Sequence, residues 1–250
     1  MEVTFLGTRG WYPKKGQTSC VLVETRGGNY LLDAGTGMYW MDEVVNFKKP
    51  TCLLLSHFHI DHILGVTTFT RTFGGKEITI YGQKGVKKAI DRIMRKPIYP
   101  FYFNSPINRF KVRFGELKRE QRIFDSVVRT AHLSHADPVI GIRIENRGRS
   151  LVYATDTLPC EATVKLARNC DVLIHETYFS DEDLKKVKIN TGHSSPKGAA
   201  RIAKEAGAKG LFLFHFNPEY DDATISRMVE SAREVFKNTF ASKEFMKVKL

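Results

Sequence analysis

The sequence lacks the features of a membrane-bound or secreted protein. Its apolar runs, such as 53–55 and 211–214, hold three or four residues, whereas a membrane-spanning helix needs about 20. The first residues show no basic stretch followed by an apolar one, as a secretory signal would. The four cysteines include no CxxC pair, so they are expected to be reduced. We therefore expect a cytoplasmic protein with no membrane partner.

Negative charge is scarce in one stretch of the chain. The net charge is +12, and between Arg71 and Arg122 there are fourteen Lys or Arg residues against four Asp or Glu residues. A field concentrated in this way attracts polyanions or phosphorylated substrates. The alternative is a solvated surface that has no partner.

Hydrophobic patterning predicts a chain that begins with strands and then alternates strands with helices. Strands are predicted at 2–6, 20–24, 30–33, 52–56, 76–81, 110–114, 127–131, 141–145, 151–153, 172–175, 210–214 and 245–250. Helices are predicted at 85–95, 159–168, 195–206 and 222–236. Two packed sheets with helices outside satisfy this order. No linker marks a boundary, so a single domain is expected over residues 1–250.

Three of the eight histidines fall within one run of six residues, together with a carboxylate: His57, His59, Asp61 and His62. Side chains alternate in an extended segment, so His57 and His59 point to one side and can bind one metal ion. Asp61 and His62 follow as the chain turns and can reach a second ion. Such a run without metal would leave buried polar groups unsatisfied. We expect two Zn²⁺ ions, and manganese or iron would also fit these ligands.

This run cannot complete two sites, because each tetrahedral ion needs three or four protein ligands. Further ligands are expected after later strands, and the candidates are His135, Asp156 and His215. Asp156 directly follows an apolar strand, which is an unusual place for a carboxylate without a partner. The alternative role for Asp156 is a helix cap before Pro159.

These residues resemble the metallo-β-lactamase-fold hydrolases. The pattern HxHxDH at 57–62 carries the resemblance, with four further matches in the same order: the turn Asp33-Ala34-Gly35, His135 ahead of Gly141, the strand bearing Asp156 and the strand bearing His215. The resemblance covers nearly the whole chain. It implies the metallo-β-lactamase fold, a four-layer αβ/βα sandwich of two packed mixed sheets with helices outside.

The resemblance also implies how the ligands divide between two ions. One ion would be held by His57, His59, His135 and Asp156, and the other by Asp61, His62, His215 and the shared Asp156. His132 is the alternative to His135, but its spacing to Gly141 fits less well.

Within that superfamily the chain is similar to the ribonuclease Z branch of phosphodiesterases. The run His-Glu-Thr-Tyr-Phe at 175–179 resembles its His-Glu-Ala-Thr-Phe element, and Gly-His-Ser-Ser at 192–195 resembles its Gly-His-Ser-Thr element. The resemblance implies that Glu176 and His193 act together on the leaving oxygen. An alkoxide needs a proton, and a histidine oriented by a carboxylate can supply it. The alternative is a hydrogen-bond network at a helix start, with no chemical role.

The chain departs from ribonuclease Z in the length of one connection. That branch usually carries a long tRNA-binding arm between the elements matching His135 and Asp156, and here only twenty residues separate them. They suffice for a strand pair and a turn, which argues against tRNA 3′-end processing. The extra length lies in a basic insertion around 66–129. Its Pro- and aromatic-rich segment 97–103 could stack bases, cover the core, or form the contact of a homodimer.

The sequence therefore predicts a dinuclear metal-dependent hydrolase of phosphodiesters, with RNA or a nucleotide as substrate. Asp61 is expected to orient the attacking hydroxide and accept its proton, and His193, backed by Glu176, to protonate the leaving group. One alternative is a hydrolase of carboxylic esters, thioesters or lactams on the same metals. The other is a nucleic-acid-binding protein with a vestigial metal site, although no predicted ligand is replaced.

Overall fold

The computed structural model describes residues 1–73, 77–100, 111–190 and 192–250. The strands in these residues are β1 (Glu2–Gly7), β2 (Cys20–Glu24), β3 (Asn29–Leu32), β4 (Thr51–Leu54), β5 (Glu77–Gly82), β6 (Lys111–Glu116), β7 (Glu120–Ile123), β8 (Ser126–His132), β9 (Ile140–Asn146), β10 (Arg149–Ala154), β11 (Val172–Glu176), β12 (Leu211–Phe214), β13 (Thr239–Ala241) and β14 (Lys247–Lys249). The α-helices are α1 (Met41–Val44), α2 (Ile60–Ile63), α3 (Phe69–Thr72), α4 (Val86–Ile93), α5 (Glu161–Ala167), α6 (Asp181–Lys186), α7 (Pro196–Ala206) and α8 (Asp222–Arg233).

The strands form two mixed sheets of seven strands each. Their orders are β14-β1-β2-β3-β4-β5-β6 and β13-β12-β11-β10-β9-β8-β7. In each sheet the three pairings on one side are antiparallel and the three on the other side are parallel. Parallel strands bring their carboxyl ends to one edge of the sheet, where ligands bind in α/β proteins.

The two sheets pack face to face, and helices cover their outer faces. Phe5 of the first sheet meets Phe214 of the second with ring centroids 6.2 Å apart. In β4, Cys52 lies in the core between the sheets, while Leu53 lies in the core under the helices. Burial on both faces explains why this strand is an unbroken apolar run. The predicted four-layer sandwich is confirmed.

Two edge strands, β7 and β13, and four short helices, α1, α2, α3 and α6, were not predicted. β7 carries mostly exposed polar residues and β13 has only three residues, so neither shows the apolar alternation of a half-buried strand. α6 buries none of its residues, so its helical period is not visible in the hydrophobic pattern. The other predicted elements are present, with boundaries that differ by a few residues.

The stretch around 66–129, expected as an insertion, contributes β5 and β6 to the first sheet and β7 and most of β8 to the second. The single domain with an insertion there stays a prediction. In the segment 97–103, residues 101–103 lie outside the described residues, so its role also stays a prediction. No helix in the described part of the chain is long and apolar enough to span a membrane. All four cysteines are unpaired.

Candidate metal centre

The predicted ligands follow the carboxyl ends of strands from both sheets. His57 and His59 come after β4, and α2 then carries Asp61 and His62. In the second sheet, β10, β11 and β12 are parallel neighbours. The residues at their ends, Asp156, Glu176 and His215, therefore meet at one edge. His135 and His193 lie in loops before β9 and α7.

The imidazole nitrogens of His62 and His215 lie close to the carboxylates of Asp61 and Asp156, and we call these four residues the buried half. His62 Nε2 is 3.2 Å from His215 Nε2, 3.4 Å from Asp61 Oδ2 and 3.2 Å from Asp156 Oδ1. His215 Nε2 is 3.3 Å from each of these two carboxylate oxygens. Two ligand atoms of a tetrahedral zinc ion, each about 2.0 Å from the metal, lie about 3.3 Å apart, as the atoms of each of these five pairs do. The buried half therefore fits one divalent cation.

Asp33 orients the buried half. Its Oδ2 accepts hydrogen bonds from His62 Nδ1 (2.7 Å), Ser56 Oγ (2.7 Å) and Tyr153 OH (2.8 Å), and its Oδ1 accepts from Ser56 N (2.7 Å). With the proton of His62 held on Nδ1, its Nε2 presents a lone pair to a cation. The sequence indicated Asp33 only as part of a turn.

The electrostatics of the buried half favour a cation. Burial lowers the pKa of His62, but Asp156, Asp61 and Asp33 outweigh burial and raise it well above its ordinary value. Burial raises the pKa values of Asp61 and Asp156, but His62 and His215 outweigh it and hold both well below their usual range. A field that stabilises a proton so strongly also stabilises a metal ion.

His57, His59 and His135 form what we call the open half, which shares Asp156. His57 Nε2 is buried, has no hydrogen-bond partner in the described part of the chain, and lies 3.6 Å from Asp156 Oδ2. Burial and the neighbouring His62 and His59 lower the pKa of His57 well below its ordinary value. A neutral imidazole with an unused buried lone pair fits a metal ligand.

The other two histidines of the open half are tied to Asp137. His59 Nε2 lies 2.9 Å from Asp137 Oδ2, and the N–H of Asp137 donates to His135 Nδ1 at 3.2 Å. The His135 ring lies 5.3 Å from the His59 ring and 6.0 Å from the His57 ring. His135 offers a ligand atom within 4.8 Å of Asp156 and His193. Asp137 has no place in the sequence motifs, and its role was not predicted.

His132 stays apart from this arrangement. It is exposed at the end of β8 and belongs to no group of candidate ligands among the described residues. The geometry therefore favours His135 over His132, in agreement with the spacing to Gly141. The assignment of His135 as a ligand stays a prediction.

Glu176 is buried at the end of β11, and backbone donors fix it there. Its Oε1 accepts from Thr157 N (3.1 Å) and Ser194 N (2.8 Å), and its Oε2 accepts from Tyr178 N (2.9 Å). These three bonds hold the carboxylate next to His193. The joint action of Glu176 and His193 on the leaving oxygen, which the resemblance implies, stays a prediction.

His193 stands between Glu176 and the ligands. Its Nδ1 lies 3.3 Å from Glu176 Oε1, within range of charge attraction but outside hydrogen-bond alignment. Burial lowers the pKa of His193, but the carboxylates around it, Glu176 first, outweigh burial and raise it to about 9. The His193 ring is nearly parallel to that of His215, with centroids 5.7 Å apart, and packs at a tilt against that of Tyr178 at 4.8 Å. An imidazolium held here can donate a proton into the site.

A pocket of about 250 Å³ opens onto these groups and is lined by Trp11, His59, Asp61, Asp156, Tyr178, Phe179, His193 and His215. The N–H of Trp11 donates to Asp61 Oδ2 at 2.7 Å. Neither Trp11 nor the rings of Tyr178 and Phe179 were predicted as site residues, because the sequence motifs indicate metal ligands and acid–base groups and not aromatic rings. The run Trp11-Tyr12-Pro13 after the first strand was the available signal.

Comparisons with known proteins agree with this geometry. Residues 28–216 match the model of the beta-lactamase superfamily domain. Ribonuclease Z from Archaeoglobus fulgidus is 28% identical over 302 aligned positions, which cover 100% of this chain and 97% of the relative. The solved metallo-β-lactamase fold protein YhfI from Bacillus subtilis has a TM-score of 0.81 at 22% identity, covering 99% of this chain and 98% of that one. The short form of human tRNase Z has a TM-score of 0.74 at 26% identity, covering 100% and 99%. The chain therefore belongs to the beta-lactamase superfamily, as a metal-dependent hydrolase similar to the ribonucleases Z.

Proposed function

We propose that this protein hydrolyses phosphodiester bonds with two zinc ions. One ion would be held by the buried half and the other by the open half, with Asp156 shared between them. Two observations support this proposal. The Nε2 atoms of His62 and His215 lie 3.2 to 3.4 Å from each other and from the ligand oxygens of the two carboxylates, and His57 Nε2 has an unused buried lone pair. Imidazole and carboxylate donors at these separations suit zinc.

The observation that carries the phosphodiester assignment is the position of His193 in the wall of the metal pocket, with Glu176 behind it. Hydrolysis of a phosphodiester releases an alkoxide, which needs a proton. Carboxylic esters and lactams also release a basic leaving group, so the pair alone does not distinguish them from phosphodiesters. The similarity of the chain to ribonucleases Z, together with this pair, favours phosphodiesters over the alternative substrates.

Asp61, Glu176 and His193 have different roles in the proposed hydrolysis. When bound, the ions supply Lewis acidity toward the phosphoryl oxygens and lower the pKa of water. Asp61, fixed by the N–H of Trp11, orients the attacking water and accepts its proton. Glu176 holds His193 by charge from the Nδ1 side, which leaves Nε2 to protonate the leaving oxygen.

The charge around the site supports a polyanionic substrate. Lys87, Lys88 and Arg92 are exposed on α4, within the basic stretch of the sequence. Gln83, just before this helix, donates from Nε2 to Ser56 O (2.9 Å) and to Pro138 O (2.6 Å). A basic helix thus begins next to the loops that bear the open half, where it can attract RNA.

The short connection between His135 and Asp156 bears on which RNA molecules the protein can bind. It consists of β9, the turn at 147–148 and β10, as predicted, with Asn146 opposite Arg149. The alignment with the A. fulgidus enzyme spans 302 positions against 250 residues here, so about 50 positions of that enzyme have no counterpart in this chain. We expect precursor tRNA to be a poor substrate, because an arm that could bind its body does not fit in this hairpin.

A substrate panel with zinc and with manganese tests the proposal. The panel contains bis(4-nitrophenyl) phosphate, cyclic nucleotides, precursor tRNA, a thioester and a β-lactam. We expect turnover of phosphodiesters, about two metal ions per chain, and slow cleavage of precursor tRNA. Faster turnover of the thioester or the β-lactam would contradict the assignment. RNA binding without cleavage, together with no metal after reconstitution, would favour the non-enzymatic alternative.

A further inference from the structure

Trp11 lies at the mouth of the metal pocket in a backbone conformation that side chains seldom adopt. Its φ is +62°, and the N–H of Tyr12 donates to Gly10 O at 2.8 Å across it, which closes a three-residue turn. Turns with a positive φ at a residue other than glycine are strained. Such strain persists only where the surrounding structure imposes it, and it concentrates at functional sites.

The surroundings of this turn impose its shape. The N–H of Gly10 donates to Phe216 O at 3.0 Å, and a Cβ at Gly10 would collide with the His215 ring. On the other side of the turn, the hydroxyl of Tyr12 hydrogen-bonds to Glu219. Both flanks are thus fixed to the segment that bears His215, and Trp11 is held at the pocket.

The fold does not require an indole at this position. The backbone N–H of Trp11 binds Asp61, and any residue except proline would offer the same donor. The side chain itself is 65% exposed, so it contributes little buried apolar area. Tyr12 packs edge-on against it, with ring centroids 5.0 Å apart, which restricts its rotation. A large aromatic ring is therefore held in solvent beside the reacting groups.

We infer that the indole of Trp11 is a stacking platform for a base of the substrate, so that the preferred substrates are nucleoside phosphodiesters. This inference rests on the proposed phosphodiesterase function and narrows its substrate class. Trp11 shares the 250 Å³ pocket with the rings of Tyr178 and Phe179 and with His193. Aromatic side chains next to phosphate-binding groups bind nucleotides by stacking, whatever the base.

Binding of two small phosphates tests the platform without catalysis. Adenosine 5′-monophosphate and ribose 5-phosphate share a sugar phosphate, and only the first has a base. We expect the nucleotide to bind the wild-type protein about tenfold more tightly than ribose 5-phosphate, as calorimetry would measure. We expect Trp11→Ala to lose this tenfold preference and Trp11→Phe to keep most of it. Quenching of tryptophan emission by the nucleotide should vanish in Trp11→Phe, where Trp40 is the remaining tryptophan.

Phe124→Ala is the matched control, because Phe124 is also a partly exposed aromatic residue with a positive φ of 49°, outside the pocket. It should leave both affinities unchanged. An unchanged nucleotide affinity in Trp11→Ala, or an equal loss for both phosphates, would overturn the platform.

The proposed function can fail independently of the platform. A wild-type protein that binds the nucleotide through Trp11 but cleaves no phosphodiester would disprove hydrolysis and leave the platform intact. Cleavage of a dinucleotide with the same kcat/KM in wild type and Trp11→Ala would support hydrolysis and disprove the stacking platform.

Discussion

The two halves of the candidate metal centre contain the same types of side chain but are held in different ways. The imidazoles of the buried half are fully enclosed, and their Nε2 atoms already lie 3.2 to 3.4 Å from each other and from the ligand oxygens of Asp61 and Asp156. In the open half, the His59 side chain is 39% exposed, and Asp137, which holds it, is 68% exposed. The polar side chains of the buried half are thus held inside the core, whereas His59 and Asp137 of the open half lie at the surface.

The difference between the two halves is clearest at the carboxylates Asp33 and Asp137. Each carboxylate hydrogen-bonds a ring nitrogen of a candidate ligand, at 2.7 Å for His62 and 2.9 Å for His59. Asp33 is also the acceptor for Ser56 and Tyr153 inside the core, while no further side-chain donor to Asp137 is found in the described residues. Asp33 should therefore affect folding as well as metal binding, and Asp137 metal binding alone.

The largest expected effect is that of Asp33→Ala. It leaves the donors of Ser56, His62 and Tyr153 buried without their acceptor, so the free energy of unfolding should fall by about 3–5 kcal/mol. Urea denaturation measures this loss, and Asp33→Asn, which keeps the volume and one acceptor, should lose less. A change below about 1 kcal/mol would contradict the role of Asp33 as the centre of this network.

His193→Ala should affect turnover without disturbing either half. His193 touches His215 of the buried half and lies beside His135 of the open half, with ring centroids 5.7 and 5.4 Å apart. Loss of a general acid should lower kcat at least about a hundredfold. Metal analysis decides the interpretation, because two retained ions fit an acid, whereas loss of an ion would make His193 a ligand.

The place of the candidate ligands could be anticipated from the sequence, because most of them follow strand ends. The structure brings the seven predicted ligands close together, with Glu176 and His193 beside them, and their role as ligands stays a prediction. The role of Asp33 as an acceptor was not predicted, because its partners Ser56, His62 and Tyr153 lie 23, 29 and 120 residues away in the sequence. Such contacts exist only once both sheets have formed.

The positions of Trp11 and Asp137 at the candidate site were not predicted for a different reason. The positive φ of Trp11 is imposed by packing against the His215 segment and leaves no trace in local sequence preference. Asp137 is exposed in a loop, where a carboxylate ordinarily has no role. In the fold, the buried strands of both sheets were predicted from their apolar runs, while the edge strands β7 and β13 were not.

Asp137→Ala should weaken the open half and leave the fold intact. Loss of a carboxylate that orients a histidine ligand costs about 10–100-fold in metal affinity. Competition with a chelator, resolved into two binding steps, should show this loss in one step only. The free energy of unfolding should change by less than about 0.5 kcal/mol, since the side chain is exposed. Equal weakening of both steps would mean that the halves are not independent.

Ser56→Ala should have the smallest effect, and it tests whether the halves communicate. One hydroxyl joins them, because Ser56 Oγ donates to Asp33 Oδ2 at 2.7 Å and lies 3.0 Å from His57 Nδ1. Because the hydroxyl proton of Ser56 goes to Asp33, Ser56 Oγ accepts from the N–H at His57 Nδ1. This tautomer of His57 leaves a lone pair on Nε2, which faces Asp156. Without the hydroxyl, the free energy of unfolding should fall by about 1 kcal/mol.

The metal affinities should respond unequally to this substitution. The N–H of Ser56 still donates to Asp33 Oδ1 in the alanine variant, so Asp33 and His62 keep their positions. His57 loses the partner of its Nδ1, so the open half should bind metal several-fold more weakly. In the double variant with Asp137→Ala the losses should add, because Ser56 acts through His57 and Asp137 through His59. A loss in the buried half as large as that in the open half would show instead that Ser56 supports Asp33 through its hydroxyl.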